Sequence, residues 1–319
     1  MKPVVSVLVV NYNGQSFLAQ LLASLALAFE RHASEIIVVD NASTDGSRQW
    51  LRSRSGFELI ELDANVGFAA GNNVAAAVAR GEVLLLINND TAVSQSMDAL
   101  VDAALAEGVG AVGCQLRYGD GSLQHSIGLA HTPLRIALSW LGWERKRGAP
   151  PLFRKVETKS QVYAQPQRDV AWVSGACLAT RAEVWRAVGG FDEELFMYCE
   201  DVDYAQRVRA RGWRIGYTPA PVVIHFEGAG KPWPGALALL RTVRAYFLLI
   251  TKTTGRRTAR LLSLWLGALF GARGLAFSLL GVSGRKPRVE LARDKARGYR
   301  RASASMLRAA WSGQAPLLP

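Results

Sequence analysis

Gly81-Glu-Val-Leu-Leu-Leu-Ile-Asn-Asn-Asp-Thr91 carries an unbroken aliphatic run straight into two amides and a carboxylate. Such a run, without polar alternation, reads as a strand buried on both faces, the pattern of a parallel sheet covered by helices. Ligands of open α/β sheets bind just beyond the carboxyl ends of the strands, so Asp90 stands where a charged ligand would meet the sheet. Taken alone, Asn88, Asn89 and Asp90 read equally well as an ordinary polar turn, because Asn and Asp bond their own backbone there. The neighbouring segments decide between the two.

Residues 4–10 form a second aliphatic strand that ends in Asn11-Tyr-Asn-Gly14, followed by helical spacing of Phe17, Leu18, Leu21, Leu22 and Leu25. A third strand at 35–39 ends in Asp40-Asn-Ala-Ser-Thr-Asp-Gly-Ser47. Strands alternating with helices of this length imply βαβ units and a parallel sheet. Each strand ends in acids or amides, so their loops should line one edge of the sheet with polar groups, the expected binding site. The segment Asn65-Val-Gly-Phe-Ala-Ala-Gly-Asn-Asn73 places Gly67 and Gly71 where a ligand could approach the backbone, ahead of a helix offering free N–H groups to an anion. No G-x-G-x-x-G follows the first strand and no Walker A lysine is present, which excludes those two phosphate-binding fingerprints.

A second acidic group, Cys199-Glu-Asp-Val-Asp203, follows the Gly189-Gly190 turn and opens a helical pattern through Tyr204, Ala205, Val208 and Ala210. Acids in a first turn are favoured by the helix dipole, and often do nothing more than stabilise the helix. Val222-Val-Ile-His225 adds a fourth polar strand end, although a lone histidine is more often a satisfied or exposed one. Trp172 to Glu183 reads as a strand feeding a helix, with Thr180 and Glu183 forming a capping box. Residues 133–168, rich in Pro, Lys and Arg, read as a variable loop or short hairpin, and His32, His125 and His131 as surface or loop residues.

In their order, segments 5–13, 38–47, 65–73, 88–90 and 189–203 resemble the family-2 glycosyltransferases of the GT-A fold, particularly the rhamnosyltransferase-like branch, over residues 3–230. The resemblance implies an α/β, Rossmann-like nucleotide-diphospho-sugar transferase fold. Its mixed, mostly parallel sheet would be flanked by helices, with a catalytic domain at 1–235 and a helical tail at 236–319. It also implies roles. Asp40 would recognise a uracil or thymine base and its ribose beside Asn11 and Tyr12, and Asn65, Gly67, Asn72, Asn88, Asn89 and Glu200 would be further substrate-binding residues. Asp90 would end the metal-binding D-x-D motif, holding a divalent cation, Mn2+ or Mg2+, and His225 would be a third metal ligand or a diphosphate contact. Asn88 replaces the motif's first acid, which removes a formal charge and weakens the pull on a hard cation. Asp201 would be the catalytic base of an inverting transfer. Trp172 would either stack on an acceptor sugar or fill the core.

The charge distribution points to the partner. The net charge is +12, yet from Arg241 onward sixteen basic residues face two acids, so the tail holds +14 and the first 240 residues −2. Within the tail lies the apolar stretch from Leu261 to Val282, flanked by Arg256, Arg257 and Arg260 and by Arg285, Lys286 and Arg288. Arg273 near its middle would be costly in a spanning helix, so the reading favours a helix or helical pair lying on the membrane surface, with a helical subdomain packed on the catalytic core or in a homodimer as the alternative. A nucleic-acid partner would call for basic residues spread over a folded face with interleaved aromatics, a pattern this chain lacks. Three scattered cysteines give neither a disulfide framework nor zinc spacing, and the chain enters a core strand without a signal peptide. The expectation is an enzyme at the cytoplasmic inner face of the cell membrane. It would pass a sugar from a dTDP- or UDP-linked donor, dTDP-L-rhamnose first, to a glycan or lipid-linked oligosaccharide in bacterial envelope polysaccharide synthesis. UDP-hexose or UDP-galactofuranose transfer, and an inactive scaffold of the same fold, stay open.

Overall fold

The structure, a computed structural model, describes residues 3–143, 148–226, 235–281 and 286–316. The chain divides into two compact units: Met1–Ala130, Val156–Phe196 and Glu200–Ala229 in the first, and His131–Lys155, Met197–Cys199 and Gly230–Pro319 in the second.

The first unit begins β1 (Val5–Asn11), α1 (Gln15–Leu25), β2 (Ser34–Asp40), α2 (Ser47–Arg52), β3 (Glu58–Glu61), α3 (Gly67–Val78) and β4 (Val83–Asn88). It continues with β5 (Thr91–Val93), α4 (Asp98–Leu105), β6 (Val109–Arg117), β7 (Leu123–Gln124) and β8 (Ile127–Gly128). After α5 (Pro133–Ser139), which belongs to the second unit, come α6 (Ser160–Tyr163), β9 (Trp172–Val173), β10 (Cys177–Arg181), α7 (Ala182–Val188), α8 (Glu200–Ala210) and β11 (Arg214–His225).

The main sheet runs β3-β2-β1-β4-β10-β6-β11-β5, with β7 attached to β6. The four strands β1 to β4 are parallel, as the βαβ reading requires, and their register aligns Asn11 with Asp40 and Val10 with Asn88. Strand β10 enters antiparallel between β4 and β6, which makes the sheet mixed. Along β1, Val5, Val7 and Val9 pack on one face with Leu18, Leu21, Leu25, Leu100 and Val101, while Leu8 packs on the other with Ala69, Ala75, Trp185 and Tyr204. Both faces are therefore dry, which is why the central strands carry no polar alternation.

Three local expectations need correction. Short β3, an edge strand, escaped the sequence reading because only Leu59 and Ile60 separate its two glutamates. The capping box at Thr180 does not form: Thr180 lies inside β10, where its hydroxyl meets the Gly110 carbonyl and the Tyr204 hydroxyl at 2.7 Å each. Residues 133–168 hold α5, a short 3-10 turn at Pro151–Phe153 and α6 within the expected loop rather than a hairpin, and His131 is a loop residue, as one of the two readings had it, but a buried one. Residues 144–147 of that stretch lie outside the described residues.

In the second unit α9 (Gly235–Thr254), α10 (Arg256–Leu280) and α11 (Lys286–Ser312) pack together. Glycines let α10 and α11 approach closely: a Cβ on Gly267 would lie 2.8 Å from the Leu307 side chain, and Ser303 Oγ donates to the Gly267 carbonyl at 2.7 Å. Arg273, the charge inside the apolar stretch, donates to the Trp140 carbonyl and sits 5.7 Å from the Tyr299 ring centre. Its charge is thus held within the unit. Val282 and Arg285, counted in that stretch and its flank, lie outside the described residues. Helix α10 is long and apolar enough to cross a membrane, but Leu262, Leu266 and Phe270 on one side are buried while Leu261, Leu264, Trp265, Leu275, Leu279 and Leu280 on the other are exposed.

Candidate functional site

The carboxyl ends of β1, β2 and β4 meet at one edge, and the first corner of that edge is built by Asn11 and Asp40. Asn11 Nδ2 donates to Asp40 Oδ1 at 3.2 Å and to Ser43 Oγ at 3.1 Å, while its Oδ1 accepts from Asn89 Nδ2 at 2.9 Å. Asp40 Oδ2 accepts from Arg48 Nε at 2.9 Å and from the Ser43 backbone N–H at 3.2 Å. Asn11 and Asp40 are fully buried, whereas the adjacent Tyr12 is 47% exposed. Gly14, which the sequence showed only as a turn residue, closes the corner. A Cβ there would fall 2.1 Å from Asn89 Nδ2 and 2.7 Å from Asn11 Oδ1.

At the start of α3 the structure departs from expectation. Gly67 has φ +92°, and a Cβ on it would lie 2.4 Å from the Phe196 carbonyl; one on Gly71 would lie 2.8 Å from Val10. The close approaches are to the chain itself. The N–H groups of Val66, Gly67 and Phe68 are already taken by Asn41 Oδ1, Asn65 Oδ1 and the Phe196 carbonyl at 2.8–2.9 Å, so the helix start expected to receive an anion is internally satisfied. Asn72 donates to its own helix, at the Phe68 carbonyl, at 2.9 Å. Asn65, Gly67 and Asn72 therefore act here as supports of the fold.

The second corner holds Asn88, Asp90 and His225. Antiparallel pairing of β5 with β11 sets Thr91 opposite His225, and the Phe226 N–H donates to the Asp90 carbonyl at 2.8 Å. This brings Asp90 Oδ1 to 3.2 Å from His225 Nε2, with Asn88 Nδ2 3.3 Å from the same nitrogen. Asn88 Oδ1 is buried without a partner. A buried carbonyl oxygen left unpaired beside a carboxylate and an imidazole nitrogen is the donor set that a hard divalent cation fits. Among the described residues no three His, Cys, Asp or Glu side chains cluster to hold a metal by themselves. These groups would fill only part of the coordination shell of an ion that keeps waters and shares substrate phosphates.

Asp201 completes the edge from the start of α8. Its Oδ2 accepts from the Gly175 N–H at 3.1 Å and its Oδ1 from the Val202 N–H at 2.8 Å. Ala176, next to Gly175, accepts the Asn88 N–H at 3.0 Å, so the loop that holds Asp201 is fastened to the end of β4. Burial pushes the Asp201 carboxyl up to about 6, against the backbone hydrogen bonds that favour its charged form. Glu200 is only 7% exposed, and its Oε2 has no partner. Burial first, then the neighbouring Asp201 charge, holds the Glu200 carboxyl well above the usual carboxylate range. The two preceding residues, Tyr198 and Cys199, have φ of +76° and +64°, a conformation costly for non-glycine residues and common where a site is held under strain. Asp203 has a different task, pairing with Arg207 at 2.8 Å.

Trp172 pairs through β9 with β8, and its Nε1 donates to the Leu129 carbonyl at 3.0 Å. Its ring fills the space beside Gly128. One side of the indole is therefore committed to the fold.

Residues 6–170 match the model of glycosyl transferase family 2. An N-acetylglucosaminyl-diphospho-decaprenol L-rhamnosyltransferase from Mycobacterium tuberculosis is 34% identical over 245 residues, 71% of this chain and 77% of that relative. The rhamnosyltransferase WbbL of Escherichia coli is 26% identical over 234 residues, 70% of this chain and 83% of its own. Among solved structures, a mannosyltransferase from Pyrobaculum calidifontis in complex with GDP-Man and Mn2+ superposes with a TM-score of 0.54 at 18% identity, covering 98% of this chain and 87% of that one.

Proposed function

The chain belongs to glycosyl transferase family 2 and is a glycosyltransferase of the GT-A fold, and from that premise we propose that it transfers L-rhamnose from dTDP-L-rhamnose to a lipid-linked glycan, with inversion, in cell-envelope polysaccharide synthesis. The observation that carries the reaction is Asp201, a carboxylate raised to about 6 by burial and anchored through Gly175 beside the end of β4. A general base works best when its pKa lies near the operating pH. Asp201 takes the proton of the acceptor hydroxyl as that oxygen bonds to the anomeric carbon. The bond from that carbon to the diphosphate oxygen breaks on the opposite face, which inverts the centre.

Asp90 and His225, with Asn88 Oδ1, would hold a divalent cation, Mn2+ or Mg2+. When bound, the cation supplies positive charge to the diphosphate leaving group. The Asn11 and Asp40 corner, with the exposed Tyr12 ring, would receive the thymine or uracil base and ribose. Rhamnose and the lipid-linked acceptor rest on the printed activities of the relatives, which are an L-rhamnosyltransferase named for a diphospho-decaprenol substrate and a rhamnosyltransferase.

The exposed side of α10 supports peripheral attachment to the inner face of the membrane. Its buried side is occupied within the helical unit, so the helix presents a single apolar stripe, and Arg256, Arg257 and Arg260 at its start would meet anionic headgroups at about 1 kcal/mol each. Leu275→Glu with Leu279→Glu is expected to abolish flotation with anionic vesicles. Unchanged flotation would remove α10 from the attachment.

The reading as a whole is tested by incubating the purified chain with dTDP-L-rhamnose and a diphosphate-linked N-acetylglucosamine lipid, with Mn2+, and following product by mass spectrometry. A product heavier by one deoxyhexose, of inverted configuration, is expected. Absence of product, together with a turnover from UDP-linked hexose or galactofuranose, would replace the donor. Absence of turnover with all these donors, and of any nucleotide-dependent thermal shift, would favour an inactive scaffold.

A further inference from the structure

Asp201 is held by two N–H groups, one from its own helix turn at Val202 and one from Gly175, 26 residues earlier in the chain. Gly175 lies in the connection 174–176 between β9, which ends at Val173, and β10, which begins at Cys177. The backbone donors there can be accounted for one by one. The Ser174 N–H goes to the Ser126 carbonyl at 3.0 Å, the Gly175 N–H to Asp201 Oδ2 at 3.1 Å, the Ala176 N–H to the Ser174 hydroxyl oxygen at 3.3 Å, and the Cys177 N–H back to the Ser174 carbonyl at 3.4 Å. The last bond closes a β-turn over 174–177. Ser174 is its first residue, and a serine there bonds the turn's own backbone, which is why Ser, Asn and Asp favour such positions. Two of the four donors end on Ser174 itself, while the Gly175 N–H is turned out towards the carboxylate.

We propose that Ser174 is a positioning residue for the reaction: its hydroxyl holds the turn in the shape that aims the Gly175 N–H at Asp201. The inference rests on the reading of Asp201 as the base and adds a residue to it. Gly175 itself is not there to make room. A Cβ on it would meet Asp201 Cβ and Phe68 Cε1 at 3.6 Å, ordinary van der Waals distances, so its contribution is the N–H. The turn is fastened at both ends. At one, Ser126, 3% exposed, donates its hydroxyl to the Cys114 carbonyl of β6 at 3.2 Å while its own carbonyl takes the Ser174 N–H. At the other, the Ala176 carbonyl takes the Asn88 N–H at 3.0 Å. Across the middle runs the bond from Ala176 to the Ser174 hydroxyl. Without that hydroxyl the Ala176 N–H loses its acceptor, and the turn can reshape at the residue whose N–H Asp201 uses. A hydrogen bond to the charged form lowers a carboxyl's pKa, here against the burial that raises it to about 6. A looser bond lets it rise further. Ser174, Gly175 and Ala176 bring no charged side chain, and the ionisable neighbour Glu200 lies on α8 itself, so a change at Ser174 reaches Asp201 through the Gly175 N–H.

The test uses the full chain, 15N-labelled at glycine and without substrate, and follows the Gly175 amide resonance against pH in the wild type, Ser174→Ala, Ser174→Thr and Asp201→Asn. The wild-type resonance should titrate with a midpoint near 6, and the titration should vanish in Asp201→Asn. Ser174→Ala is expected to move the midpoint up by roughly 0.5–1 pH unit, and Ser174→Thr, which restores the hydroxyl, to return it to the wild-type value. The acid limb of kcat/KM should move by the same amount in the same direction, a readout that a loss of stability alone would leave in place. An unmoved midpoint in a folded Ser174→Ala would overturn this inference and leave the reading of Asp201 intact. An amide midpoint that moves as expected, in an enzyme whose rate has no limb near it, would overturn the reading beneath, that Asp201 is the base. Should Ser174→Ala fail to fold, Ser174→Cys, whose sulfur is a weaker acceptor, carries the comparison: a smaller shift in the same direction is expected, and no shift would overturn the inference.

Discussion

Asp40 and Asp201 are both carboxylates at the same sheet edge, but their surroundings are opposite. Asp40 is fully buried and takes hydrogen bonds from Asn11, Ser43 and Arg48. Asp201 has two backbone N–H donors and a burial that opposes its charge, next to a Glu200 oxygen with no partner. The Asn11–Asp40 corner is closed by its own bonds. The Asp201 end of the edge keeps a polar group uncompensated, a state that costs folding energy and leaves groups ready to act on a ligand. Stability and reactivity are thus divided between two parts of one edge, and substitutions should separate them.

The largest effect should come from Asp201→Asn, which removes the proposed base and is expected to lower kcat by roughly 10²–10⁴-fold with nucleotide binding retained. The same change should stabilise the fold. A carboxyl whose folded value is raised from 3.8 to about 6 is costly when ionised; that cost is full above 6 and fades as pH falls from 6 towards 3.8. Asparagine removes it at every pH, but its NH2 would face one of the two backbone N–H donors, Gly175 or Val202, and so loses one hydrogen bond. A net gain of about 1 kcal/mol at pH 8, shrinking as pH falls below 6, is the expected result of denaturant melts. A less stable Asp201→Asn would break the contrast.

Asp40→Ala should do the reverse. It takes the closest acid from the partly buried Arg48, which is left with the Leu62 carbonyl and Glu61 at 3.7 Å, and one of its two acceptors from Asn11 Nδ2. The expected loss is about 3 kcal/mol, read as a lowered denaturant midpoint. A variant with wild-type stability would show that the corner is not held by this carboxylate.

Next in size is the acid limb of the rate profile. If Asp201 is the base, kcat/KM should fall about tenfold per pH unit below a midpoint near 6. A profile flat from pH 5 to 8 would assign the proton to another group.

Much of this contrast was legible in the sequence, and the reason is geometric. Asn11, Asp40, Asn88 and Asp90 close or directly follow aliphatic strands whose parallel pairing could be inferred from local pattern, so their meeting at one edge follows from topology. Asp201 was legible only through family resemblance, because its anchor, Gly175, lies 26 residues away. Ser174 and Gly14 carried no signal. The turn that Ser174 shapes meets Asp201 only in the fold, and the need for glycine at 14 arises from an amide that arrives from Asn89. The reverse error occurred at Gly67 and Gly71, where a pattern that could cradle an anion instead accommodates Phe196 and Val10. Local sequence specifies that the backbone comes close to something; only the fold specifies to what.

Gly14→Ala tests that last point with the smallest effect. The added methyl would meet Asn89 Nδ2 at 2.1 Å and Asn11 Oδ1 at 2.7 Å, atoms that hydrogen-bond each other at 2.9 Å. The backbone at Gly14 has φ −113° and ψ 23°, which alanine can adopt, so the cost arises from crowding and not from the dihedral angles. Asn89 can swing aside, since its amide is the free end of a side chain, but only by giving up the bond to Asn11. The sum of mild overpacking and one lost hydrogen bond is about 1–2 kcal/mol. Because Asn11 also bonds Asp40, the displacement should travel into the closed corner and weaken nucleotide binding, leaving the acid limb of Asp201 where it was. A Gly14→Ala protein that binds nucleotide normally but titrates at a different pH would mean that the two corners are coupled, and that the division between them is only partial.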